Sequence, residues 1–252
     1  MTVPDTAPAP AEPLTTIERV RLAQTEADRW VHLVRGLSPQ DWQAASGCEG
    51  WTVADLVRHC IGQAEQLSSF RAAGRQARAG RRLARGRALV DGITEHQVAA
   101  RAHVPPARLV TELEAVMPPA VRARGRWPRT SNRLGLRVEV PGHAAVVKEW
   151  WTFAYLAQVL TRDLWMHRVD LDRAGVRPLE LTPDHDGRIV ADVVADWTRR
   201  HGGPVDLTLT GPAGGRWRVP GEGPVVEQDA VEFCRGLFGR APAPAYDVVV
   251  PF

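Results

Sequence analysis

Hydrophobic positions recur at three- and four-residue steps through the first half of the chain. Ile17, Val20, Ala27, Val31 and Val34 form one such series and predict an amphipathic helix of about twenty residues. LSPQDW and the Gly47/Gly50 segment break it. Val53, Leu56, Val57, Cys60, Ala64, Leu67 and Phe70 then predict the apolar face of a second helix, with Thr52 as its cap and Asp55 in its acidic first turn. Further helices are expected over residues 89–101, over 107–124 (shortened or kinked by Pro118-Pro119) and, most strongly, over 147–174, where Gly175 and Pro178 end it. Residues 125–145 read as loop with a short hairpin. After Pro178 the period changes. A helix over 186–201 is followed by Val205-Asp-Leu-Thr-Leu-Thr210, which alternates with period two, turns at GPAGG and returns at Arg216–Val219. Residues 227–238 read as helix and 246–250 as a last strand.

The 147–174 helix carries the candidate chemistry. At about 100° per residue, Leu156, Leu160, Asp163 and His167 fall within a stripe about 60° wide, while Arg162, Arg168 and Asp172 lie on the wet side. A carboxylate buried on such a stripe costs several kcal/mol unless it is paired or bound to metal. Asp163 and His167, one turn apart, can reach a common point, and His59 on the second helix can supply a third ligand. The same pattern is also met if Asp163 pairs with His167 or an arginine and His59 is a core histidine. Asp170 can orient His167 or pair with an arginine. Cys60 points away from His59 and reads as a core thiol.

Composition adds limits. The chain has 252 residues and a net charge of +3, and Lys148 is its only lysine; the arginine excess reads as the codon usage of a GC-rich genome. Arg71, Arg75, Arg78, Arg82 and Arg85 step by four and three through the Arg71–Arg87 segment, with no acidic residue between Gln66 and Val90. A helix there would present one cationic face to an anionic partner, but Gly74, Gly80 and Gly86 favour a solvated, mobile segment. No nucleic-acid motif accompanies it. The longest uncharged run, Trp150–Thr161, is far shorter than the ~20 residues of a membrane span. Three cysteines without paired spacing argue against a disulfide framework and fit a cytoplasmic location.

Taken together, Gly50-Trp-Thr-Val-Ala-Asp-Leu-Val-Arg-His59 and Thr161-Arg-Asp-Leu-Trp-Met-His-Arg-Val-Asp170 resemble the two signatures of the mycothiol-dependent maleylpyruvate isomerase family, within the DinB-like metal-binding bundles. Leu207–Gly215, Trp217, Asp229–Phe233 and Leu237-Phe-Gly-Arg240 are similar to its small C-terminal domain. The resemblance implies an α+β protein: a tail at 1–13, an up-and-down four-helix bundle at 14–178 and a small α+β domain at 183–252. It implies a divalent metal, commonly zinc, held by His59, Asp163 and His167, with mycothiol as thiol cosubstrate. The isomerase has Glu where this chain has Asp163, a departure that bears on the substrate. Arg240 matches the arginine that the C-terminal domain supplies near the site. The implied reaction is isomerisation or S-conjugation of a small electrophile through a metal-bound thiolate, by a monomer or dimer without nucleic-acid or membrane partners. The rivals are a non-catalytic metal-binding or regulatory module and a metal-hydroxide lyase or hydrolase.

Overall fold

The structure is a computed structural model and describes residues 12–126, 133–141, 146–242, 245–246 and 248–252. The tail expected over 1–13 falls, up to residue 11, outside the described residues. The chain divides into two units. Among the described residues, one is Thr16–Pro141 with Val146–Leu179; the other is Glu180–Phe252 with residues 12–15.

The first unit is helical: α1 (Thr16–Arg35), α2 (Val53–Ser68), α3 (Phe70–Ala84), α4 (Leu89–Ala99), α5 (Pro106–Arg126) and α6 (Phe153–Arg173). Helices α1 and α2 each pack against α5 and α6, forming a four-helix bundle. Trp30, Leu56, Val57, Ile61, Leu109, Leu113, Leu164 and Leu171 fill its core. The start of α2 follows the predicted cap. Asp55 N–H donates to Thr52 Oγ1 and Thr52 N–H donates to Asp55 Oδ2, at 3.2 and 3.1 Å, closing a reciprocal capping box. Helix α5 runs through Pro118 and Pro119, because Met117, Ala120 and Val121 are held in the core on either side of them.

Several expectations are corrected. The helix predicted from 147 begins only at Phe153. Before it, β2 (Val146–Thr152) pairs antiparallel with β1 (Gly135–Pro141), as its Val-Val and Trp-Trp pairs favour, and Thr152 caps α6 by accepting from Tyr155 N–H. Ile17 and Phe70 were placed on buried faces but are 82% and 74% exposed. Phe70 instead opens α3, capped by Ser69. The Arg71–Arg87 segment is therefore largely helix rather than a mobile coil. Its glycine supplies contact: a Cβ on Gly92 of α4 would lie 2.1 Å from the Gly80 carbonyl oxygen of α3, so the two helices touch backbone to backbone. Arg71, Arg75, Arg78 and Arg82 line the exposed face.

The second unit has a turn of π-helix at Pro183–Gly187, then α7 (Arg188–His201), β3 (Val205–Thr210), β4 (Gly215–Val219), β5 (Val225–Asp229) and α8 (Ala230–Leu237). Its sheet runs β4-β3-β5, with β4 antiparallel and β5 parallel to β3. Trp197 and Phe233 meet edge to face at 5.1 Å between the helices. Residues 227–229, expected in a helix, belong to β5; α8 starts at Ala230 because the Asp229 carboxylate accepts from Val231 and Glu232 N–H. Among the described residues of 246–250 there is no strand. Side-chain contacts anchor that segment: Tyr246 stacks on His201 at 4.0 Å and donates its hydroxyl hydrogen to Pro204 O. The protein is thus α+β, and no described helix is long and apolar enough to cross a membrane.

Candidate metal centre

Helix α2 carries His59 on its buried face, between Leu56 and Ile61 and one turn before Gln63. Helix α6 carries Asp163 and His167 one turn apart, and the bundle brings these three side chains together. His59 Nε2 lies 3.6 Å and His167 Nε2 3.2 Å from Asp163 Oδ2. The imidazoles meet edge to face at 5.3 Å. One ligand atom from each residue lies within 4.8 Å of the others, and all three side chains are buried.

Hydrogen bonds decide which atoms face the common point. His167 Nδ1 lies 2.9 Å from Asp170 Oδ2, which can only accept from it, so Nδ1 carries the proton and Nε2 faces inward. His167 Nε2 is buried and close to Asp163 but has no hydrogen-bonding partner of acceptable geometry. A buried nitrogen of this kind is satisfied by a cation beside Asp163 Oδ2 and His59 Nε2. Two imidazole nitrogens and one carboxylate oxygen suit zinc-like divalent ions, so the residues present fit the group.

The charges are coupled without metal. Burial alone would raise the Asp163 pKa, but the charge of the adjacent His167, and then His59, hold it well below the ordinary value. Burial would lower His167, but Asp163 beside it holds the imidazole well above its ordinary value. Burial pushes the Cys60 thiol up to about 12, as befits an inert core thiol.

Three further groups escaped the sequence reading. Gln63 donates Nε2–H to Asp163 Oδ2 at 2.6 Å. It lies four residues after His59, so helical spacing alone could have found it. Cys48 donates its thiol hydrogen to Asp170 Oδ2 at 3.3 Å. No periodicity announces Cys48, because a loop delivers it. Gly47 there has a φ of +83°, and a Cβ on it would lie 2.6 Å from the Asp170 carbonyl oxygen. Gln97 of α4 faces His59 Nδ1 at 2.8 Å across a gap in sequence that no motif spans.

The expected wet face of α6 is also corrected. Arg162 and Arg168 are buried, and Arg168 donates Nε–H and Nη2–H to Glu26 at 2.5 and 3.0 Å. Asp170 is buried against His167 and Cys48. Arg240 belongs to the other unit, where its guanidinium lies 4.9 Å over the Phe238 ring.

Comparison with known proteins matches residues 23–172 to the mycothiol maleylpyruvate isomerase N-terminal domain. Two solved structures share the fold, each over 92% of both chains with a TM-score of 0.58. They are the mycothiol-dependent maleylpyruvate isomerase, at 18% identity, and a histidine-to-alanine mutant of that enzyme, at 17%. No curated protein matches. The family match spans more than half of the sequence and contains all three converging side chains, and the chain belongs to the mycothiol maleylpyruvate isomerase N-terminal domain family.

Proposed function

We propose that the protein is a metal-dependent, mycothiol-dependent enzyme that isomerises or S-conjugates a small electrophile. The observation that carries this reading is the convergence of His59 Nε2, Asp163 Oδ2 and His167 Nε2, with His167 Nε2 buried and unsatisfied. The helical unit is the metal-binding domain, and the Glu180–Phe252 segment is the family's C-terminal domain. Three protein ligands leave one position for an exchangeable group. A divalent cation held there, zinc first among the candidates, lowers the pKa of a ligating thiol and keeps it as thiolate at neutral pH.

The protein's own residues prepare that site. Asp170 fixes His167 by accepting its Nδ1–H, and Gln63 steadies Asp163. The Trp51 ring packs beside His59, with ring centroids 5.4 Å apart. A thiol cosubstrate held there would supply a nucleophile for an electron-poor alkene carbon, the π electrons moving onto the adjacent electron-withdrawing group. Rotation about the resulting single bond and expulsion of the thiolate would give cis–trans isomerisation, and protonation of the adduct carbon instead of expulsion would give the conjugate. Arg240 is assigned to the substrate through the Phe-Gly-Arg match, and Arg240→Ala is expected to lose turnover while keeping its metal. Cys48, Cys60 and Cys234 are not joined in disulfides, which suits a reducing, cytoplasmic setting.

The test is turnover of maleyl-type acids and other small electrophiles by zinc-loaded protein, with and without mycothiol. Turnover only with thiol is expected. Equal rates without thiol overturn the reading in favour of metal-hydroxide chemistry, and failure to hold zinc overturns the metal site itself.

A further inference from the structure

Beside His59, the site continues into a buried line of amides that ends on a backbone carbonyl. Gln76 of α3 donates Nε2–H to Gly62 O at 2.8 Å. Gln97 of α4 donates Nε2–H to Gln76 Oε1 at 2.8 Å, with a longer 3.5 Å contact to Gln66 Oε1. Gln97 Oε1 then lies 2.8 Å from His59 Nδ1. Gln76 and Gln97 are only 5% and 2% exposed.

The direction of this line is fixed from its far end. A carbonyl oxygen can only accept, so Gln76 must turn its NH2 toward Gly62 and its oxygen toward Gln97. Gln97 must then turn its NH2 toward Gln76 and its oxygen toward His59. That oxygen can only accept, so the neutral His59 ring must carry its proton on Nδ1. Its Nε2 lone pair is left facing Asp163 and His167. Gly62 serves twice, since a Cβ there would lie 2.5 Å from Gln97 Cγ; only a glycine leaves room for the amide.

We propose that Gln97, held by Gln76 and the Gly62 carbonyl, is the positioning residue that sets the tautomer and ring orientation of His59 for metal binding. This rests on the metal-site reading above. It also gives α3 and α4 a role at the site: they bring the amides to α2, and the Gly80–Gly92 contact sets their spacing. Replacing both amides with apolar side chains of similar shape would cost the fold little, so the pair serves orientation more than stability.

The experiment has two readouts on the full chain. Two-bond 1H–15N spectra of metal-free protein, about two pH units above the ordinary histidine pKa of ~6.5, report the His59 tautomer. Zn2+ titration against a competing chelator reports affinity. Wild type is expected to carry the His59 proton on Nδ1. Gln97→Leu and Gly62→Ala are expected to admit the Nε2–H form and to weaken zinc binding by about 10–100-fold. Gln76→Leu added to Gln97→Leu is expected to cost no further affinity, because Gln76 acts through Gln97. A Gln97→Leu protein that keeps the Nδ1–H form or wild-type zinc affinity overturns the proposal. If wild type binds no zinc, the metal-site reading falls, and the tautomer in wild type and Gln97→Leu alone decides the relay.

Discussion

On one side of α6, Arg168 turns its guanidinium fork onto both carboxylate oxygens of Glu26; about 140° around the helix, Asp163 faces His59 and His167. Both clusters are buried. In the first, a planar donor meets a planar acceptor, the two charges offset one another, and the geometry is bidentate. In the second, a carboxylate oxygen faces two imidazole nitrogens, and His167 Nε2 meets it at 3.2 Å, outside hydrogen-bond geometry. In the first arrangement the two charges meet in direct bidentate hydrogen bonds. The second becomes complete only when something positive sits among the three atoms. Burial of charge alone therefore does not mark a site; the unmet valence does.

The sharpest break in this comparison comes from the ligands. His59→Ala and His167→Ala are expected to lose stoichiometric zinc and to drop thiol-dependent turnover to background, measured by metal analysis and rate. Glu26→Leu is expected to leave zinc content unchanged while destabilising the fold by about 3–5 kcal/mol, because it removes the bidentate carboxylate from the buried Arg168 guanidinium. Denaturant unfolding checks the second change. If Glu26→Leu removed zinc, the two clusters would be one coupled system and the contrast would fail.

A finer cut lies at Asp163. Asp163→Glu keeps the ligand type but adds a methylene in a close-packed place, at an expected cost of about 1–3 kcal/mol, and is expected to bind zinc more weakly. Asp163→Leu is expected to abolish binding and to remove any chelator-sensitive part of the melting transition. A Leu variant that melts as high as wild type, with chelator changing neither, would return the cluster to a plain ion pair like Glu26–Arg168.

The triad was readable because one helix period put Asp163 and His167 on the stripe and a second placed His59 on a buried face. What a single-helix wheel cannot show is a helix buried all the way round. Residues 161–171 of α6 are all buried, so the face assigned to water carries Arg168 inward to Glu26. The amides were equally invisible. Gln76 and Gln97 lie on different helices, and only the backbone contact of Gly80 with Gly92 and the space over Gly62 bring them to His59. Gly80, which weakens α3 by propensity, is what lets it pack on α4, so tertiary contact overrode the local preference. The β2 strand was hidden similarly, since Val146–Thr152 joins directly to α6 and its apolar residues extend a helical pattern.

The smallest predicted effect is a pH slope that only the open cluster should give. In metal-free protein the His167 pKa is raised and the Asp163 pKa lowered, each chiefly through the other once burial is overcome. A raised histidine stabilises the fold fully below its unfolded value and loses that contribution as pH rises through the folded value. A lowered carboxylate stabilises above its unfolded value and loses that contribution as pH falls through the folded one. The pair's contribution is therefore complete between the ordinary values of 3.8 and 6.5 and declines outside them. Zinc needs a deprotonated His167 nitrogen, so between 6.5 and the raised value each ion bound displaces one proton. Zinc affinity is expected to rise there by about tenfold per pH unit, with matching proton release. Calorimetric titration in buffers of different ionisation heat measures that release. An affinity flat with pH above 6.5 would show that His167 is not the proton that zinc replaces, and would separate the metal from the Asp163–His167 pair.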